Sequence, residues 1–161
     1  RLLEPLISHS EENTDHVHIL LADLLTCTFS EDDCRYHGRA VICGTPAIIS
    51  TKGIIEAPAK PQEFYYLSGL GAEHQVSLKT RLRERFIDYG DKRLTEAATG
   101  YALQALFFFV TNGEPFCLDR NCRLFNAHWQ EDLIRTQVEN PTLCGNHQRL
   151  INKFNIEIAR T

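Results

Sequence analysis

The chain has 161 residues, 43% hydrophobic and 24% charged, with 21 acidic side chains against 17 basic ones and a formal net charge of −4. That length suits one domain with a sizeable core and is short for two. The acidic balance disfavours a broad electrostatic grip on nucleic acid or on an anionic membrane and leaves only a local basic patch for either. Ile19 to Ala22 and Ala105 to Val110, the longest apolar runs, are far too short to span a bilayer. With Arg1 first and no Met in the chain, the natural start is missing or was removed. Leu2, Leu3, Leu6 and Ile7 lie among Glu4, Pro5 and His9 and do not make a signal-peptide core.

Along the chain, His16 to Leu25 reads as a buried strand. Ser30 to Cys34 is a polar connection. Arg39 to Cys43 is β-rich and is broken by Gly44, Thr45 and Pro46; Ala47 to Ser50 and Gly53 to Ile55 are further β-branched stretches. The prolines at 58 and 61 end that region, because proline cannot donate to a sheet ladder. Two or three strands are therefore expected between Arg39 and Tyr66. A helix is expected from His74 to Asp88, with Leu78, Leu82 and Phe86 on one face. A second runs from Lys92 to Val110, with a C-terminal half apolar nearly all round and so expected to be deeply buried. Asn112-Gly113 stops it. Asn126 is placed to cap a helix over about Ala127 to Val138, ended by Asn140-Pro141. A last helix from about Cys144 turns Leu150, Ile151, Phe154 and Ile158 inward. Strands first and helices later read as a single α/β domain, with a mixed sheet of about four strands packed on helices.

Six cysteines divide into two groups. Cys117, Cys122 and Cys144, with His147, are spaced C-x4-C, a gap of 21 residues, then C-x2-H. Two tight pairs of soft ligands around a longer loop are the sequence form of a closed tetrahedral zinc site. Cys144 and His147 fall on one helical turn at i, i+3. Four protein ligands leave no open position, so one zinc per chain would be structural, pinning the segment from about 113 to 161 onto the core. The alternatives are a Cys117–Cys122 disulfide, or cysteines acting as small buried hydrophobes. The remaining Cys27, Cys34 and Cys43 are odd in number, which argues against a disulfide framework and for a reducing, cytoplasmic setting.

The other histidines are candidates for a second metal. His16 and His18 alternate on a strand and share a face, which suits either a metal or polar cover at a sheet end. His37 follows an acidic loop, and His128 sits at the start of the expected third helix, where it contacts solvent or a ligand in a cleft. Arg81, Arg83, Arg85, Lys92 and Arg93 could form a basic strip; the solvated face of a helix explains them more simply.

The stretch FCLDRNCRLFNAHWQEDLI…LCGNHQRL resembles the C-terminal part of archaemetzincins, a family of metzincin-clan metallopeptidases. The resemblance implies a metzincin-like fold and a structural zinc site of order C-x4-C then C-x2-C, directly after the signature HExxHxxGxxH. His147 stands where that family has its fourth cysteine, and Leu124 where it has a Met; TDHVHILLADLL and RAVICGTPAIIST are loosely similar to its first strands. The segment ISTKGIIEAPAKP is also similar to archaeal proteins grouped as metallopeptidases of unknown function. Counting back from Cys117, Leu106, Val110 and Phe116 occupy the three histidine positions and Phe107 the glutamate; only Gly113 keeps its identity. The peptidase mechanism needs neutral imidazoles, an open zinc position and a carboxylate base. These substitutions remove all of them, and their burial is expected to turn the cleft into core.

The expected function is a zinc-stabilised module that has lost peptidase activity and binds a peptide, a protein or a small molecule. The alternative is a hydrolase with a relocated centre drawn from His16, His18, Asp23, His37, Glu56 and His128. Nucleic-acid binding ranks last.

Overall fold

The structure is a computed structural model that describes residues 7–11, 16–69, 77, 80–113 and 115–158. Among the described residues, five strands form two sheets. In the larger, β1 (Ile19–Ala22) pairs in parallel with β5 (Ala47–Ser50), and β4 (Val41–Ile42) pairs antiparallel on the other side of β5. The register sets Ile19 opposite Ala47 and Val41 opposite Ile49. β2 (Thr26–Ser30) and β3 (Arg35–Arg39) form a separate antiparallel hairpin, from Thr26 opposite Arg39 to Ser30 opposite Arg35. Among the described residues the mixed sheet has three strands where about four were expected, and the polar connection expected from Ser30 to Cys34 is the turn of the hairpin.

The stretch after β5 departs from expectation. Gly53 to Ile55 is not a strand: α1 (Thr51–Glu56) follows β5 directly. The reason is local. Ser50 is extended (φ −97°, ψ 115°) and its Oγ accepts from Gly53 N at 2.7 Å, an N-cap that starts a helix despite two β-branched residues. Ile54 and Ile55 are then buried by packing. Gly53 is required there, since a Cβ would lie 2.0 Å from the Arg39 carbonyl oxygen. After Pro61 the chain forms α2 (Gln62–Ser68).

The expected helix from His74 to Asp88 lies in part outside the described residues. Its end is a helical turn over 80–82 and a 3-10 turn Arg83–Arg85, after which Phe86 is extended. α3 (Arg93–Thr111) matches its expected span, and Asn112 (φ 57°) ends it in the left-handed region.

α3 packs on β4, β5 and α1. Its sheet-facing side carries Ala97, Tyr101, Gln104 and Ala105, all buried. The core between sheet and helices joins Ile49, Ile54, Ile87, Ala97, Tyr101 and Leu133.

The fourth helix starts later than Asn126 suggested. Residues 127–129 are extended because they pair with Ala59: Ala59 N donates to His128 O and Gln130 N to Ala59 O, both at 2.8 Å. α4 (Gln130–Ile134) begins only there and continues as a π-turn, Arg135–Glu139. α5 (Gly145–Ile158) is the last helix; Leu150 and Ile151 pack inward, and the side chain of Ile158 lies outside the described residues. Among the described residues, no helix is long and apolar enough to cross a membrane.

Candidate metal centre

Cys117, Cys122, Cys144 and His147 converge, with their ligand atoms all within 4.8 Å of one another. A turn after α3 delivers the first pair. Cys117 N donates to Leu124 O at 2.8 Å, Cys122 N to Asp119 O at 3.0 Å, and Asn121 N to the Asp119 carboxylate at 2.9 Å. These bonds close C-x4-C into a knuckle with both sulfurs on its inner side. The second pair comes from the start of α5, where Cys144 immediately precedes the helix and His147 lies on its first turn.

The spacing fits a tetrahedral ion. Zinc bonds of about 2.3 Å to sulfur and about 2.0–2.1 Å to nitrogen imply ligand–ligand edges of roughly 3.5–3.8 Å. Cys117 Sγ lies 3.9 Å from Cys144 Sγ, and Cys122 Sγ lies 3.6 Å from His147 Nδ1. Cys144 Sγ, at 3.1 Å from His147 Nδ1, is the tighter edge. All six cysteines are free, so the Cys117–Cys122 disulfide is not formed.

Backbone amides support the sulfurs as thiolates. Asp119 N donates to Cys117 Sγ and Cys144 N to Cys122 Sγ, each at 3.4 Å. Burial pushes the Cys122 thiol up to about 11. At Cys144 burial acts in the same sense but is outweighed by the His147 and Asn146 amides at the helix start, which hold its thiol below the ordinary value. A bound cation would resolve the mismatch by favouring both thiolates, since metal binding displaces the protons.

An apolar shell encloses the group. Cys122, Leu124 and Phe107 are buried together, with Leu103, Leu143, Leu150 and Ile151 against them. The Phe107 ring meets the His147 imidazole edge-on, with centroids 5.3 Å apart. A residue that the resemblance sets at a peptidase's glutamate position is here the wall that orients a ligand ring. Two further bonds tie the knuckle to the fold: Arg123 N to Thr142 O at 2.7 Å, and Gln137 Nε2 to Arg123 O at 2.6 Å. Four protein ligands in a closed shell can hold a metal and leave it no open position.

Leu106, Val110 and Phe116 do not fill a cleft. They are 40%, 38% and 39% exposed, which corrects the expectation that they would be core. The physical reason is the helix period. At 100° per residue, Leu106 and Val110 lie roughly opposite Tyr101, the side α3 turns to the sheet. The apolar C-terminal half of α3 is therefore only partly buried.

The other candidate histidines do not join this centre. His16 and His18 precede β1 with stacked rings 6.3 Å apart, and His18 Nε2 lies 3.1 Å from Glu11 O. His37 pairs with Asp33 at 2.8 Å, and that hydrogen bond lowers the Asp33 pKa. Glu56 meets Lys60 at 3.3 Å, and Asp23 accepts from Thr51 at 2.8 Å. His128 is exposed on the extended stretch before α4, not on a helix. It lines a small cavity with Tyr101 and Arg39, two residues the sequence did not single out.

Two members of the basic strip are held by carboxylates. Arg85 bonds Glu63 and Glu131, at 3.0 and 2.8 Å, and Arg93 bonds Asp91 at 2.6 Å.

A family model described as "Probable metallopeptidase family (DUF6775)" matches residues 1–154. No curated protein and no solved structure matches the chain.

Proposed function

Because the chain belongs to this probable metallopeptidase family, we propose that it is a zinc-stabilised member that retains a structural metal and has lost peptidase activity, serving as a binding module. The cluster of Cys117, Cys122, Cys144 and His147 carries the reading: four donors at tetrahedral spacing in an apolar shell. Three sulfurs and one imidazole suit zinc better than a hard cation. The metal's contribution is cohesion. It joins the knuckle after α3 to the start of α5.

The loss of peptidase chemistry rests on the side chains beside that cluster. No HExxH motif occurs in the sequence. On the archaemetzincin resemblance, the ligand positions fall on Leu106, Val110 and Phe116, which carry no donor for zinc, and the base falls on Phe107, which is spent on packing His147. The scaffold is read as one archaemetzincin-like domain over 1–161, with its zinc-binding part at about 113–161. Six free thiols suit a reducing cytoplasm. The partner is a peptide, a protein or a small molecule rather than nucleic acid, since Arg85 and Arg93 are engaged by carboxylates.

Metal analysis with a peptidase assay tests the proposal. One zinc per chain and no hydrolysis with or without added zinc are expected. A second, exchangeable metal that switches on peptide hydrolysis would make the chain an active peptidase and overturn the loss.

A further inference from the structure

A groove of about 1000 Å3 lies between α2 and α4, with Arg85 of the turn before α3 and Arg120 of the cysteine knuckle also lining it. That volume stands at the upper end of small-molecule sites and is ample for a few residues of peptide. Its charges pair unevenly. On the α2 side one cation serves two anions: the Arg85 guanidinium bonds Glu131 at 2.8 Å and Glu63 at 3.0 Å. On the knuckle side one anion serves two cations: Asp132 Oδ1 takes Arg135 at 2.7 Å and Arg120 at 3.3 Å. The groove is thus neutral as a whole and polarised within, short of a cation on one side and of an anion on the other. Arg135 Nε is buried without a partner, a further sign that acceptors are lacking on the knuckle side. The Arg120 side chain is 70% exposed, so its guanidinium can meet a ligand.

Two aromatic side chains line the same groove. Tyr66 is 81% exposed and Trp129 38%, and neither the Tyr66 hydroxyl nor the Trp129 indole N–H bonds a described residue. The Trp129 backbone is fixed by its bridge to Ala59, where Gln130 N donates to Ala59 O at 2.8 Å, so the indole is presented from a paired stretch of chain. Tryptophan, tyrosine and arginine are the residues that most often dominate the binding of polypeptide. An exposed ring face also attracts a cation. A polyanion would meet three carboxylates here, and an apolar molecule would bury ion pairs at a cost.

We propose that this groove docks a short polypeptide segment carrying one acidic and one cationic group. The acidic group meets Arg120 and Arg135, the cationic group meets Glu63 and Glu131, and Tyr66 and Trp129 take the chain between them. Each side then gains the charge it lacks, and the existing pairs need not break. Two sources share this chemistry: the side chains of a segment within a longer chain, and the two free ends of a short peptide. The inference names a ligand for the binding reading above and rests on it; zinc content and hydrolysis are measured separately, so either can fail alone.

Trp129 is the only tryptophan in the chain, so its fluorescence reads this groove directly. The test is a fluorescence titration of the zinc-loaded protein with end-capped Lys-Ala-Ala-Glu and Glu-Ala-Ala-Lys, with tetra-alanine bearing free ends, and with end-capped tetra-alanine. A saturable change with a charged peptide, weakened by added salt, and none with capped tetra-alanine is expected. Tighter binding of a capped charged peptide assigns the groove to side chains within a chain, and equal or tighter binding of free-ended tetra-alanine to peptide termini. Arg120→Gln and Glu63→Gln alter exposed side chains, so each should melt near the parent and lose about threefold in affinity, the size of an exposed ion pair. The Arg120→Gln loss should vanish when Gln replaces the Glu of the capped peptide, which a merely structural role for Arg120 would not produce. Absence of saturable binding by every charged peptide, capped tetra-alanine binding as tightly as they do, or full affinity in both variants overturns the proposal.

Discussion

Phe107 shows how one side chain can tie two parts of the site together. It is buried, sits on the helix that leads into the knuckle, and fixes the His147 ring from the side. Phe107→Ala would leave a cavity against a metal ligand at a cost of about 3–5 kcal/mol. The imidazole would also lose the wall that orients it. Thermal melting and zinc transfer to a chromogenic chelator should both respond, with a lower melting temperature and faster release. A lower melting temperature with unchanged release would mean that the ring supports the core alone. The convergence of the three cysteines and His147 was legible in sequence because each pair is close in the chain. Phe107's role was not: an aromatic in an apolar helix reads as core, and only the folded chain shows which neighbour it meets.

At the scale of the element, α3 begins without a side-chain cap on its N-cap residue, Lys92. Asp91 supplies what is missing. Its carboxylate accepts from Arg93 N at 2.9 Å and from the Arg93 guanidinium at 2.6–3.1 Å. Arg93 in turn reaches the carbonyls of Arg83, Glu84 and Phe86, so one arginine closes the preceding turn onto the helix. The Arg93 hydrogen bonds hold the Asp91 carboxyl below its ordinary 3.8, against the opposing effect of burial. A depressed carboxylate stabilises the fold fully above its unfolded value, and the contribution is lost as pH falls through the folded one. Asp91→Asn should therefore lower stability by about 1 kcal/mol at pH 7, less than a fully buried charged hydrogen bond because solvent reaches the pair. The gap to the parent should narrow as pH falls below the ordinary 3.8 and through the depressed folded value. Denaturation curves taken from pH 7 downward check this; a gap that stays constant over the whole acid range would place the effect in packing instead. Long α3 was readable from its period, whereas short α1 and the late start of α4 were not. At α1 a serine cap outweighs two isoleucines, and at α4 pairing with Ala59, some 70 residues away along the chain, keeps 127–129 extended.

Among the described residues, the two larger apolar clusters are the sheet with α1, α3 and α4, and the shell around the cysteines. Gln130 is the tie that unites the first. Fully buried, it donates from Nε2 to the carbonyls of Ile54 and Ile55, at 2.8 and 3.0 Å, and accepts from Ile87 N at 3.1 Å. One amide thus satisfies the end of α1 and the strand-like stretch before α3 from the first residue of α4. Nothing in the sequence marks this glutamine, because its partners are 43 to 76 residues away. Leu in its place would add apolar contact but leave three buried backbone groups unpaired, at about 1–3 kcal/mol each. Gln130→Leu should lose on the order of 3–5 kcal/mol, read as a lower urea midpoint at an unchanged slope. Gln130→Glu keeps the acceptor for Ile87 but gives up both donors and buries a charge, so it should be no better. On the proposed reading, zinc content should match the parent in both variants under native conditions, because the cysteine shell packs on different residues. Loss of zinc together with stability would show instead that the two cores fold as one unit.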